Sequence, residues 1–190
     1  MASRKLVLPS EDHLEEVRAY REEFLAAGSS MDGAGPLRRY PDPRDWLRDL
    51  RACADPATVP EGKVQASTFL CVEEGRVLGM ISVRHTLNAY CEQYAGHIGY
   101  SVRPSARRQG VASWMLSAAL PFCRELGLKR VMIACQPQNE GSRRTILKNG
   151  GVYEKTVHEP ERNIDLERYW IELQRAEDRS SVLSPTKESP

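Results

Sequence analysis

Apolar positions along the chain follow two periods, and the places where the period changes mark the elements. An apolar run over residues 5–8, closed by Pro9, predicts a first strand. Ser10 stands where a helix N-cap belongs, with Glu11 and Asp12 in the first turn, where negative charge is favoured. Leu14, Val17, Phe24 and Leu25 recur at helical spacing up to Gly28. Residues 29–40 hold Gly33, Gly35 and Pro36 with no period and read as a loop. Asp42-Pro43 then opens a second helix with Trp46, Leu47 and Leu50 on its apolar face. Residues 68–73 and 76–84 are apolar strands joined at Glu74-Gly75, a hairpin signal. A polar link over 87–96 leads to a strand at 97–103. Met115, Leu116, Ala119, Leu120 and Cys123 form the buried stripe of a helix over 113–126. Residues 131–135 are apolar on both faces, as in a central strand covered by helices. A helix over 140–148 stops at Asn149-Gly150-Gly151, and strands at 152–158 and 164–173 close the pattern as a hairpin around Pro160.

Composition narrows the class. No linker or repeat divides the chain, so residues 1–173 are expected to form one domain. The stretch 174–190, rich in Ser, Pro, Glu and Lys, reads as a disordered tail. Lys and Arg total 27 against 26 Asp and Glu, a balance that argues against a nucleic-acid partner drawn by bulk charge. No apolar run reaches membrane-spanning length, and the N-terminus lacks the apolar stretch of a signal peptide. Cys53, Cys71, Cys91, Cys123 and Cys135 are odd in number and lack metal-ligand spacing, so neither a disulfide framework nor a metal site is expected. These points together predict a reduced, cytoplasmic protein.

The strongest chemical signal lies at Arg107-Arg108-Gln109-Gly110-Val111-Ala112, between a predicted strand and a predicted helix. The first N–H groups of a helix have no partner within it, and the helix dipole there favours an anion. Gly110 allows close backbone approach, and Arg107 and Arg108 can add charge-assisted hydrogen bonds. The turn therefore suits a pyrophosphate. It lacks the Gly-Lys-Ser/Thr of a P-loop and the Gly-x-Gly-x-x-Gly of a dinucleotide fold.

Arg107-x-x-Gly110-x-Ala112 resembles the acyl-CoA pyrophosphate loop, Gln/Arg-x-x-Gly-x-Gly/Ala, of the GNAT N-acetyltransferase superfamily. Val102-Arg103-Pro104 before it, the strand at 130–135 after it, and Asn139 ahead of the next helix extend the likeness over roughly residues 68–173. The resemblance implies an α/β fold of the α+β type. Its central sheet would be mixed and mostly antiparallel, with about six to seven strands and about four flanking helices. It implies acetyl-CoA as cosubstrate. The pantetheine arm would lie along residues 101–103, with Val102 the backbone contact. The amides of Gln109, Gly110, Val111 and Ala112, opening toward Ser113, would take the diphosphate, with Arg103, Arg107 and Arg108 near its oxygens. Asn139 fits the family's cofactor-contacting asparagine and equally a helix N-cap.

The implied reaction is direct transfer of an acetyl group to a primary amine in a ternary complex, with a small-molecule amine as partner. A homodimer is a further implication. His97 is the first candidate for the base and Glu92 the second. Where many relatives carry a tyrosine acid, seven residues after the asparagine, this chain has Ile146. Tyr153 and Ser142 are the alternatives for that role, and Ser142 also sits near the cofactor. The missing tyrosine motivates a second reading, a non-catalytic acyl-CoA-binding module of the same fold.

Overall fold

Seven strands form two sheets that meet at one point. The computed structural model describes residues 3–173; the tail expected over 174–190 lies outside the described residues. The first sheet has the order β1 (Lys5–Val7), β2 (Ala66–Glu73), β3 (Arg76–Arg84), β4 (Ile98–Val102). The second contains β5 (Arg130–Cys135), β6 (Val152–Glu159) and β7 (Ile164–Glu172), with β7 in the middle. Every laddered pair is antiparallel. Among the described residues four α-helices complete the fold: α1 (Leu14–Ala26), α2 (Pro43–Ala54), α3 (Val111–Glu125) and α4 (Glu140–Lys148). The expected α/β architecture and element order are present, as two antiparallel sheets of four and three strands that part between β4 and β5.

Local chemistry sets the boundaries. Asp42 caps α2 by accepting the Arg44 N–H at 2.9 Å, with Pro43 at the first helical position. Glu74 (φ 51°) and Gly75 (φ 79°) make the two-residue turn between β2 and β3. Gly110, at φ 72°, starts α3 at Val111, two residues before the predicted start at Ser113.

Two apolar clusters hold the layers. One packs α1 and α2 against the first sheet through Val17, Tyr20, Phe24, Trp46, Leu70 and Met80. The other runs from Ile81 and Ile98 through Met115, Leu116 and Leu120 of α3 to Val131, Ile133 and Ile171, so α3 ties the two sheets together. The segment predicted as a free loop, 29–40, belongs to the first cluster. Its Met31, Ala34 and Leu37 are buried, and Trp46 donates its indole N–H to the Ala34 carbonyl at 2.7 Å. Gly33 presses on β4 so closely that a Cβ there would stand 2.2 Å from the Gly99 carbonyl oxygen.

His97 is the link between the sheets. Its N–H donates to the Met132 carbonyl at 2.7 Å, and its Nδ1 accepts the Met132 N–H at 3.0 Å. Its carbonyl turns the other way and accepts from the Arg84 N–H at 2.7 Å. The ring is buried, at 7% exposure, and its pKa is pushed down to about 4 by that burial and then by the Arg84 charge.

Two predictions follow from this packing. Gly33 and Gly62 share nearly the same backbone, φ +76° and +78°, but only Gly33 is crowded. Gly62→Ala should cost about 1–2 kcal/mol in urea unfolding, the strain of a left-handed alanine. Gly33→Ala should cost at least ~3 kcal/mol, because β4 must also move. For His97, the folded form stays neutral while the unfolded chain takes up a proton near pH 6.5. Stability is therefore complete above pH 6.5 and falls as the pH drops toward 4. Unfolding at pH 7 and pH 5 should differ by about 2 kcal/mol more in the wild type than in His97→Asn.

Candidate active site

The parity of β4 decides what the seam between the sheets offers. The bonds Arg84 N–H to His97 carbonyl and Arg103 N–H to Leu78 carbonyl fix the ladder with β3. The His97 carbonyl and the main-chain groups of residues 99, 101 and 103 thus point to β3. Tyr100 and Val102 turn theirs toward β5. On β5, Leu173 N–H to Lys129 carbonyl fixes the ladder with β7, so Ala134 faces β4 in the same manner. Among the described residues the sheets are joined at the isolated bridge between Gly96 and Ile133 and by the His97–Met132 bonds beside it. Beyond them β4 and β5 form no ladder, so the main-chain groups of Tyr100 and Ala134 and the Val102 N–H face the opposite strand without a ladder partner.

At the Val102 end this edge runs into the predicted anion turn. The N–H groups of Arg108, Gln109, Gly110, Val111, Ala112 and Ser113 have no acceptor among the described residues. The first bond of α3 is Trp114 N–H to Gly110 carbonyl, at 3.0 Å. Arg108 (φ 62°) and Gly110 (φ 72°) are both left-handed, the kind of backbone from which anion-binding turns are built. Gly110 is exposed, and a Cβ there would meet nothing within 4 Å. Val111 buries its side chain and offers only its backbone.

The side chains named from the sequence divide. Arg108 is exposed and makes no hydrogen bond or ion pair among the described residues. Arg107 is exposed but partly held: its Nε donates to the Val102 carbonyl at 3.2 Å, and its guanidinium lies 5.5 Å from the centre of the Phe24 ring. The Gln109 side chain folds back to the Ser105 carbonyl, and its own carbonyl accepts from Arg4. Arg103 is a correction. It is 4% exposed and engaged with α1, its Nη2 3.3 Å from Glu16 and its Nε 3.6 Å from Glu23. It anchors the turn to α1 and does not reach the surface where the free amides point.

Asn139 caps α4, its Oδ1 accepting the Ser142 N–H at 3.1 Å. The Ser142 hydroxyl lies 2.8 Å from the Tyr100 hydroxyl, which also reaches the Ser142 carbonyl at 3.3 Å. This contact joins β4 to the first turn of α4. Burial raises the Tyr100 pKa above its ordinary value and keeps the phenol protonated. Tyr100 was not singled out in the sequence, although the period-two pattern of a strand places it on the same side as Val102. Ile146 is fully buried beneath Gly151.

Two catalytic candidates do not fit their roles. His97 is no base: its Nδ1 lone pair is taken by Met132, so the neutral ring carries its hydrogen on Nε2 and has no acceptor left. Tyr153 lies on β6, separated from β5 by β7, and its hydroxyl bonds Thr156 at 3.0 Å. Adjacent strands stand roughly 5 Å apart, which puts it some two strand spacings from the cleft wall. Glu92 sits exposed in the turn Cys91–Ala95, ahead of β4; its N–H donates to the Asn88 carbonyl at 2.8 Å, and its carboxylate makes no hydrogen bond or ion pair among the described residues. Cys135, at the end of β5, is buried, and burial raises its pKa; it is a packed thiol and not a nucleophile.

Known proteins share this fold. A model of the acetyltransferase (GNAT) family matches residues 18–150. No curated protein matches the chain. Among solved structures, RimL, a ribosomal alpha-N-protein acetyltransferase in complex with coenzyme A, aligns with a TM-score of 0.69 at 18% identity, over 90% of this chain and 94% of that one. An N-acetyltransferase from Staphylococcus aureus aligns with a TM-score of 0.65 at 17% identity, over 90% and 99%. MccE, a microcin self-immunity acetyltransferase in complex with acetyl-CoA and AMP, aligns with a TM-score of 0.64 at 15% identity, over 89% and 92%. At these identities the likeness is one of fold. The family model covers most of the chain, and the strand-to-helix turn with its free amides lies inside the matched segment: the chain belongs to the acetyltransferase (GNAT) family.

Proposed function

We propose that this acetyltransferase moves an acetyl group from acetyl-CoA to a primary amine by direct attack. One observation carries the reading: a run of unpaired amides at the start of α3 continues into an unpaired strand edge on β4. A diphosphate and an amide-bearing arm, joined in that order, are what such a surface is shaped to hold. RimL and MccE, which share the fold, bind coenzyme A and acetyl-CoA respectively.

The diphosphate sits on the amides of residues 108–113, with Arg108 and Arg107 supplying charge. The pantetheine arm lies along β4, where the Val102 N–H and the facing Ala134 groups take its amides. The thioester then lies next to Tyr100, whose free N–H is the donor available to the oxyanion. An amine of pKa ~10 arrives protonated and must lose that proton before it attacks. With His97 committed to the seam, Glu92 is the remaining candidate base, acting directly or through water. Ser142, at the first turn of α4, faces the departing sulfur.

Two measurements test this. Gly110→Asn keeps a residue that tolerates left-handed backbone, whereas Gly110→Glu puts a carboxylate among the phosphate-binding amides. In isothermal titration with acetyl-CoA, Gly110→Asn should bind within a few-fold of wild type and Gly110→Glu at least ~100-fold more weakly. Equal binding by all three rejects the site. In a panel of amines with acetyl-CoA, CoA release that rises with one class of amine supports the transferase; release indifferent to every amine points to an acyl-CoA-binding module.

A further inference from the structure

We propose that Tyr100 is a positioning residue: it accepts no role as an acid, but turns the Ser142 hydroxyl hydrogen into the cleft as a hydrogen bond for the departing CoA thiolate. The inference rests on the acetyl-CoA reading above and deepens it. Three observations carry it. The Tyr100 side chain crosses from β4 to α4 and ends 2.8 Å from the Ser142 Oγ. The Tyr100 hydroxyl has a single hydrogen, and the Ser142 carbonyl, a possible second acceptor, stands farther off at 3.3 Å. With that hydrogen on Oγ, the serine's own hydrogen has no claim on Tyr100 and is free to rotate toward a ligand. The Ser142 main-chain N–H is fixed by the Asn139 cap, so the hydroxyl cannot swing away with the backbone.

The other groups around Ser142 leave this job open. Cys135 lies against the same hydroxyl, but burial keeps it a neutral thiol, a weak acceptor. Thr145 also lies beside the Tyr100 hydroxyl and is buried. The first turn of α4 adds the positive end of a helix dipole.

Full proton transfer is the wrong description on energetic grounds. Burial raises the Tyr100 pKa, so handing the phenol's proton to a thiolate runs uphill. In the step itself the C–S bond breaks, the electron pair leaves on sulfur, and the Ser142 O–H shortens its contact to that sulfur without giving up its proton. The thiolate later takes its proton from water.

The test uses CoA and needs no acceptor. Thiolate absorbance near 240 nm is titrated for the CoA complex, with desulfo-CoA subtracted to remove the protein's own cysteines, and binding is followed in parallel by calorimetry. In the wild type the bound thiol should titrate roughly one to two pH units below free CoA. Ser142→Ala should lose that shift, Ser142→Thr should retain it, and Tyr100→Phe should lose at least half of it while binding CoA within three-fold of wild type. CoA binding with the same thiol titration in the wild type and Tyr100→Phe overturns the positioning role and leaves the acetyltransferase reading standing. Failure of the wild type to bind CoA overturns both.

Discussion

A main-chain amide can point only one way, and this fold depends on how that choice is made at His97. The residue donates to β5 and accepts from β3, so the strand changes allegiance within a single residue. From there on, β4 is committed to the first sheet and β5 to the second. No rearrangement of side chains can restore the ladder between them. Polar main-chain groups are normally paired in a folded interior. Here the main-chain groups of Tyr100 and Ala134 and the Val102 N–H are left without a ladder partner, while the Val102 carbonyl accepts from Arg107. The gap between β4 and β5 persists because α3 packs across both sheets and holds them at a fixed separation.

The basic stretch beside the gap is divided between support and reception. Arg103 is drawn inward to Glu16 and Glu23, and the Glu23 carboxylate also accepts the Ser105 N–H at 2.6 Å. The start of the turn is thereby pinned to α1. Only the Arg103 side of these pairs is buried, so losing the partly exposed carboxylates would leave an uncompensated buried charge, which costs more than an exposed pair contributes. The residues that follow, Arg107 to Gly110, are exposed. A rigid base under an open rim is the usual arrangement for a loop that must present amides in register.

What the sequence disclosed was whatever is decided locally. The Asp42 cap, the Glu74-Gly75 turn and the amide-rich opening of α3 each depend on neighbours within a few positions. The exception at short range is instructive. The sequence pattern puts Val111 and Ala112 in the turn ahead of a helix starting at Ser113, yet a left-handed Gly110 is itself an acceptable helix cap, so α3 begins at Val111. What stayed hidden was settled across the chain. Arg103 meets Glu16 from 87 positions away, His97 meets Met132 from 35, and Tyr100 meets Ser142 from 42. Each had a plausible solvent-facing reading that only tertiary packing could remove. The segment 29–40 misled for the same reason: its glycines break periodicity, but Gly33 is there to let the chain lie flat on β4.

The seam also has a mechanical meaning. Two sheets that share one bridge form halves stitched mainly by a single helix, and anything threaded between them behaves as a removable strand. Occupancy and folding then draw on the same contacts, since a molecule that binds only the assembled halves adds its binding free energy to their cohesion. Resistance of the chain to heat or to proteases becomes a gauge of how full the seam is, and in a cell the survival time of the protein would rise and fall with the supply of whatever fills it.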